Sequence, residues 1–229
     1  MTPGYQVNGL TVVNGRDLKC GCCGNCCRHY SKVDVSITDI FNISEYLGIR
    51  PGEFFSGYCK VLSDSADSSV FLLDIEGGCK FQKDGKCTIY PVRTDMCAMY
   101  PSNLVTLNTS KWLKKDVDGL DTCFIHSLPD DLVIVPDLER MVDSTIMSMV
   151  LEMYLARYGT SFREEDALEF HRKGLEMVKN ERMRNVIHMQ LLNRFLKDPP
   201  LDADTKERLM SDEEIKMIYN KARGMPRTP

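Results

Sequence analysis

The cysteines constrain this chain more than any other feature. All ten lie between Cys20 and Cys123, and none occurs from there to Pro229. Secreted disulfide scaffolds are short and far denser in cysteine, so that class does not fit a chain of 229 residues. The segment Met1 to Thr11 has neither a basic stretch nor an apolar core of the signal-peptide type. No run of eighteen or more apolar residues occurs, so no membrane span is expected. The expected setting is cytoplasmic, where thiols stay reduced and clustered cysteines point to metal binding or redox chemistry.

The spacing sharpens this. Cys20, Cys23 and Cys26 recur at three-residue intervals, as the first three ligands of a ferredoxin-type cluster loop do. The fourth ferredoxin position falls on Tyr30, so the loop needs a remote ligand. Cys27 adjoins Cys26, and neighbouring side chains of an extended chain point to opposite faces, which suits two centres better than one. A second set follows at Cys79, Cys87, Cys97 and Cys123. With Asp84-Gly85 as a two-residue turn, Cys87 faces Gln82, and Cys79 projects to the other face unless a longer loop intervenes.

Cys22 and Cys59 are set aside, since a single buried cysteine is more often a small hydrophobe than a ligand. Cys20, Cys23, Cys26, Cys27, Cys79, Cys87, Cys97 and Cys123 remain, and eight thiolates divide into two four-sulfur sites. His29 and His126 lie close enough to Cys27 and Cys123 to replace a thiolate, although an outer or surface position is the simpler reading. His171 and His188 lie on helix patterns far from the cysteines and are left out.

The expected fold class is α+β: an irregular, metal-organised, Cys-rich module with short strands and helices, then a helical C-terminal part. Residues 1–135 read as the metal-binding domain, 136–198 as a helical hairpin region and 199–229 as a polar tail with a short helix. Val33, Val35 and Ile37 alternate as a strand does, and Thr38 is the expected N-cap of a helix that Gly48 ends. A short helix after Pro51 presents Phe54, Phe55 and Tyr58. Val70 to Leu73 reads as a strand, Pro91 opens a helical turn carrying Cys97, and Leu104 to Leu113 reads as a hairpin.

Seven of the thirteen methionines fall between Met141 and Met189. A helix from Asp137 to Tyr158 puts Met141, Ile146, Met149, Val150 and Met153 largely on one face. Ser161 with Glu164 reads as a capping box for a second helix, with Leu168, His171, Leu175 and Val178 sharing a face and Ile187, Leu191 and Phe195 on its continuation or restart. Asp198-Pro199-Pro200 is the expected stop, and Ser211 with Glu214 caps a last helix.

The string from Cys20 to Cys27, then Cys79, then Cys87-Thr-Ile-Tyr90-x2-Arg93-x3-Cys97-x2-Tyr100-Pro101, resembles the YkgJ-type CxxCxxCC proteins, described as zinc- or iron-chelating and sometimes as iron–sulfur proteins. The flagellin lysine N-methylases carry a related module. Thr94 and Ala98 stand where that family usually has proline and arginine, so Arg93 is left as the family-type guanidinium. The resemblance implies a cofactor- or substrate-adjacent role for Arg93 and Tyr100.

A four-thiolate zinc site and a [4Fe–4S] cluster each carry a net charge of about −2, so nearby Lys19, Arg28, Lys80, Lys83, Lys86 and Arg93 suit either. The three-in-a-row spacing favours the 4Fe–4S iron–sulfur cluster, and zinc is the alternative. Folding of the Cys-rich part should then depend on the metal.

Lysines and arginines number 29 against 33 acidic residues, a net charge of −4, and nucleic acid is not an expected partner. No G-x-G-x-x-G, Walker A or H-E-x-x-H motif occurs. The favoured reading is a metal-binding accessory, electron-transfer or maturation subunit, with a protein partner or a second copy docking on Ile146, Met149 and Met153. The alternatives are an enzyme of the protein lysine N-methylase type and a zinc-stabilised interaction module.

Overall fold

The computed structural model describes residues 5–18, 21, 24, 27, 32–65, 68–100, 108–109, 114, 124–135, 137–197, 203–211 and 213. Their elements are β1 (Tyr5–Val7), β2 (Leu10–Asn14), α1 (Ile37–Leu47), α2 (Pro51–Tyr58), β3 (Cys59–Ser65), β4 (Ser68–Leu73), β5 (Gln82–Lys83), β6 (Lys86–Cys87), α3 (Asp95–Met99), β7 (Asn108–Thr109), β8 (Val133–Val135), α4 (Leu138–Tyr158), α5 (Glu164–Val178), α6 (Glu181–Lys197) and α7 (Ala203–Met210). The fold is mixed α+β with a helical C-terminal part. No helix among the described residues is long and apolar enough to cross a membrane.

The chain divides into two compact units, each drawn from separated segments. The first comprises residues 1–21, 99–142 and 184–229; the second comprises 22–98 and 143–183. In the first unit a four-stranded sheet runs in the order β1-β2-β8-β7, with β2 and β8 parallel. Asn8 and Gly9, at φ 47° and 78°, make the tight turn between β1 and β2, an Asn-Gly signal overlooked in the sequence. The Asn8 side chain donates to the Arg208 carbonyl at 2.8 Å, and Arg208 Nε donates back to the Asn8 carbonyl at 3.1 Å, which ties α7 to this hairpin. Val12, Val13, Val133, Ile134, Ile125 and Leu209 are buried here.

The second unit holds the larger apolar cluster: Ile37, Ile40 and Ile43 of α1, Phe54 of α2, Phe71 and Leu73 of β4, Val150 and Tyr154 of α4, and Ala167 and Phe170 of α5. Several local readings need correction. The expected strand at Val33 to Ile37 shrinks to one bridge, Asp34 to Leu72, because α1 already begins at Ile37. Ser36, not Thr38, is the N-cap: its Oγ accepts from the Asp39 amide at 3.0 Å, and Asp39 Oδ2 accepts from the Ser36 amide at 2.9 Å. Thr38 is buried instead, its hydroxyl donating to Met147 Sδ at 3.1 Å, with His171 Nδ1 3.3 Å away.

The Ser161–Glu164 capping box does not form either. Arg163 is the N-cap of α5 and makes no side-chain capping bond. Its amide donates to the Tyr154 hydroxyl at 2.7 Å, and Glu164 Oε2 accepts from the Gly52 amide at 3.1 Å. The core face of α5 is Ala167, Phe170 and Gly174, whereas Leu175 is 41% exposed. On α4 the buried stripe is Val142, Ile146, Met147, Val150, Leu151 and Tyr154, so Ile146 is core and not docking surface; Met149 is half-buried and Met153 is 37% exposed.

The break between α5 and α6 is a restart, for Asn180 Oδ1 accepts from the Met183 amide at 3.1 Å. Ser211 directly follows the end of α7, and its hydroxyl donates to the Arg208 carbonyl; of the last helix it was expected to cap, only Glu213 is described, and it is helical. The hairpin expected at Leu104 to Leu113 lies outside the described residues except for Asn108 and Thr109, which form β7. The Asp198-Pro199-Pro200 stop, Glu214 and the side chain of Phe195 also lie outside them.

Candidate metal centre

A short hairpin, β5 to β6, carries two of the candidate thiols. Gln82 pairs with Cys87 and Lys83 with Lys86, with Asp84 and Gly85 at φ 50° and 75° in the turn, as the Asp-Gly signal requires. Phe81 anchors the hairpin: it is buried, and its ring lies 6.2 Å from that of Phe54 and 5.0 Å from that of Tyr58. Strand alternation does not extend to Cys79. The Gln82 amide donates to the Cys79 carbonyl at 3.0 Å, a turn that precedes β5. The alternation rule therefore does not fix the direction of the Cys79 side chain, and Cys79 adds repulsion at the Cys87 thiol.

Each sulfur of this pair has backbone N–H partners close in sequence. The amides of Phe81 and Gln82 donate to Cys79, and that of Ile89 donates to Cys87. Such bonds stabilise the thiolate over the thiol. Burial opposes them and pushes both thiols above their ordinary value; neighbouring Cys27 pushes the same way on each, while Arg93 pulls Cys87 down.

Cys97 sits in α3. The helical turn expected at Pro91 is a 3-10 turn, Tyr90–Val92, separate from α3. The two separate at buried Thr94, whose Oγ accepts from the Cys97 amide at 3.3 Å and so caps the new helix. Burial pushes the Cys97 thiol up to about 12, with Cys27, Cys79 and Cys87 adding repulsion and a Thr94 hydrogen bond opposing it. Cys27 is tied in through its backbone, since its carbonyl accepts from the Cys79 amide at 3.1 Å.

Cys27, Cys79, Cys87 and Cys97 are therefore mutually influencing thiols in the second unit. Among the described residues, these four included, no three His, Cys, Asp or Glu side chains are grouped as they would be around an ion. Cys59, the first residue of β3, stands apart: burial raises it to about 12, and its charged neighbours are Asp39, Asp74 and Lys80. Cys20, Cys22, Cys23, Cys26, Cys123, His29, Lys19, Arg28 and Trp112 lie outside the described residues.

The cations are unevenly placed. Lys80 is engaged by Asp74, at 2.7 Å, and by the Gly57 carbonyl. Lys83 and Lys86 are exposed on the hairpin. Arg93 lies over the Tyr90 ring at 3.8 Å, and its Nε is buried with no hydrogen-bond partner among the described residues. Tyr100 is buried and belongs to the first unit. His126 Nε2 is likewise a buried atom without a partner among the described residues, in the 3-10 turn Phe124–Ser127 of the first unit.

A thiol-liganded metal suits what the second unit presents: four soft sulfur donors, amide and hydroxyl donors to those sulfurs, and a guanidinium with an unused buried N–H. Residues 19–118 match the CxxCxxCC family. Its description is "Putative zinc- or iron-chelating domain". Comparison with curated proteins and with solved structures gave no match. The CxxCxxCC segment thus includes the β5–β6 hairpin, α3 and the scaffold helix α1 that supports them.

One supporting contact was not legible beforehand. Asp39 of α1 is 7% exposed; its Oδ1 accepts from the Asp95 amide at 3.2 Å, linking the scaffold helix to the first residue of α3. Burial, then repulsion from Asp95, raises Asp39 to about 7 despite its bonds from Ser36 and Asp95. A raised folded-state carboxyl stabilises the fold below its unfolded value and loses that contribution as pH rises through the folded one. Stability should therefore fall between about pH 4 and pH 7 through this group, and Asp39→Asn should remove that component. Melting temperatures of both proteins across that range check it, and parallel profiles would exclude the assignment.

Proposed function

We propose that the protein is a metal-binding protein holding two four-cysteine centres, iron–sulfur in preference to zinc, and that it serves as an accessory, electron-transfer or maturation subunit in a reducing compartment. What supports the reading is that Cys27, Cys79, Cys87 and Cys97 fall in one compact unit, inside a segment that matches a zinc- or iron-chelating family. A cluster would supply one-electron transfer, and zinc would supply a redox-inert cross-link. The protein's own groups would hold the sulfurs and offset their charge: the Phe81, Gln82 and Ile89 amides, the Thr94 hydroxyl and the Arg93 guanidinium. Iron–sulfur is preferred on the Cys20, Cys23, Cys26 spacing, which matches a cluster loop better than paired zinc knuckles.

A subunit role implies a protein partner. With Ile146 buried, Met153 is the most accessible member of the helix face to which such a partner was assigned. Anaerobic purification followed by elemental and sulfide analysis tests the function. Two [4Fe–4S] clusters correspond to about eight iron and eight sulfide per chain, and two zinc sites to about two zinc. Less than one centre per chain would reject the reading, whereas stoichiometric zinc without iron would reject only the cluster.

A further inference from the structure

We infer that the tip of the β5–β6 hairpin, through Lys83 and Lys86, docks an acidic segment of a partner protein, an assignment that rests on the accessory role proposed above for there being a partner at all. Lys83 and Lys86 are directly paired across the hairpin, on either side of the Asp84-Gly85 turn. Directly opposed residues of an antiparallel pair share a face, and like charges in that position destabilise the pair. With two residues in each strand, this hairpin is marginal to begin with. Both lysines are exposed, and neither makes an ion pair or a hydrogen bond among the described residues.

The fold itself has no use for this pair. The neighbouring cations are engaged: Lys80 by Asp74 and the Gly57 carbonyl, and Lys60 by Asp74 at 4.0 Å. Cys87 pairs with Gln82, and successive strand residues point to opposite faces, so the lysine pair lies on the face away from Cys87. Asp84 serves the turn, at φ 50°, and among the described residues it forms an ion pair with neither lysine. A local rule broken with no structural return marks a functional position. Charge then sets the sign of the partner. The chain carries −4 overall, so two ammonium groups on one exposed turn reverse the sign locally, which orients an acidic partner without attracting anions generally. Two lysines do not make the basic stripe that tracks a phosphate backbone, so a protein segment is the fitting occupant.

Charge reversal in the full-length protein, purified anaerobically, is the test. Lysines on edge strands also discourage edge-to-edge pairing, and Lys86→Glu keeps that protection while changing only the sign. Exchange of the Thr88 amide, bonded to the Phe81 carbonyl at 2.8 Å, reads the hairpin. Its protection should rise about two- to fivefold as the like pair becomes an opposite one. A synthetic octaglutamate peptide, titrated at low salt, reads docking. It should bind wild type and lose at least about tenfold in affinity for Lys86→Glu or Lys83→Glu. Arg182→Glu, an exposed α6 substitution with the same change in net charge, should leave that affinity nearly unchanged, and metal content should be the same in all four proteins. No gain in protection, or equal peptide affinity in wild type and the hairpin variants, would overturn the inference. Metal loss in Lys83→Glu and Lys86→Glu would overturn it too, by giving the lysines to the centre. Tighter binding of a DNA duplex than of the peptide, or a salt-sensitive dimer that Lys86→Glu dissociates, would overturn the choice of partner. A wild type that carries no metal would instead reject the function proposed above and leave the peptide result standing.

Discussion

Removing the metal should unfold the segment from Cys79 to Met99 and leave the helical core of the same unit folded. β5 and β6 have two residues each, and α3 has five. Isolated elements of that size cannot stabilise themselves, because a two-stranded hairpin is marginal and a helix below about twelve residues does not persist in water. Without a metal the segment is held by Phe81 and Ile89 in the core, by the Thr94 cap and by the Asp39–Asp95 contact. A structural metal contributes on the order of 10 kcal/mol, more than those contacts together. Amide exchange after chelation should show at least about 100-fold loss of protection across 79–99, with protection retained in α1 and α4. Loss of protection throughout the unit would make the metal the organiser of the whole Cys-rich part. No change at all would place it outside the fold.

That expectation is narrower than the one drawn from sequence, and the difference has a physical origin. Cysteine spacing and the Asp-Gly turn are local signals, so the hairpin and the candidate thiols were legible. What packs against them was not, because residues 143–183 join 22–98 in one unit across a long gap in sequence. Ile37, Ile40, Ile43, Phe54 and Phe71 bury against Val150, Tyr154 and Phe170 of the distant helices. The Cys-rich part therefore has an apolar core in addition to its thiols.

The same contrast runs through the site. The alternation rule placed Cys79 opposite Cys87, but a turn bond from Gln82 to the Cys79 carbonyl ends the strand before Cys79, so the rule does not reach that residue. Ser36-x-x-Asp39 is a capping-box pattern readable from sequence, yet the apolar alternation at Val33 to Ile37 drew attention to Thr38 instead. Asp39 gave no sign of its second role, because the Asp95 amide it accepts from is 56 residues away. Thr94, a departure from the family proline, has a hydroxyl that proline lacks, and it uses that hydroxyl to cap the helix of Cys97.

Tyr154→Ala should be the most damaging single substitution away from the cysteines. Tyr154 is fully buried in α4, with its ring 6.2 Å from Phe71, 5.5 Å from Phe170, 5.2 Å from Tyr158 and 6.5 Å from Phe162. Its hydroxyl donates to the Ser161 carbonyl at 2.9 Å and accepts from the Arg163 amide at 2.7 Å, so one side chain joins β4, α4 and the start of α5. Truncating a buried aromatic residue costs about 3–5 kcal/mol, and losing the two half-buried hydrogen bonds adds about 1 kcal/mol each. A domain stable by 5–15 kcal/mol loses much of its margin to such a change. Tyr154→Phe keeps the ring and loses only the hydrogen bonds, so it should cost about 1–3 kcal/mol. Denaturant titration of the three proteins measures both differences. An alanine variant within about 1 kcal/mol of wild type would remove Tyr154 from the core, and equal losses for alanine and phenylalanine would assign the whole effect to the hydroxyl. Because the ring contacts lie in the apolar cluster and not among the thiols, Tyr154→Ala should destabilise metal-loaded and chelated protein alike, which separates this core from the metal-dependent segment it supports.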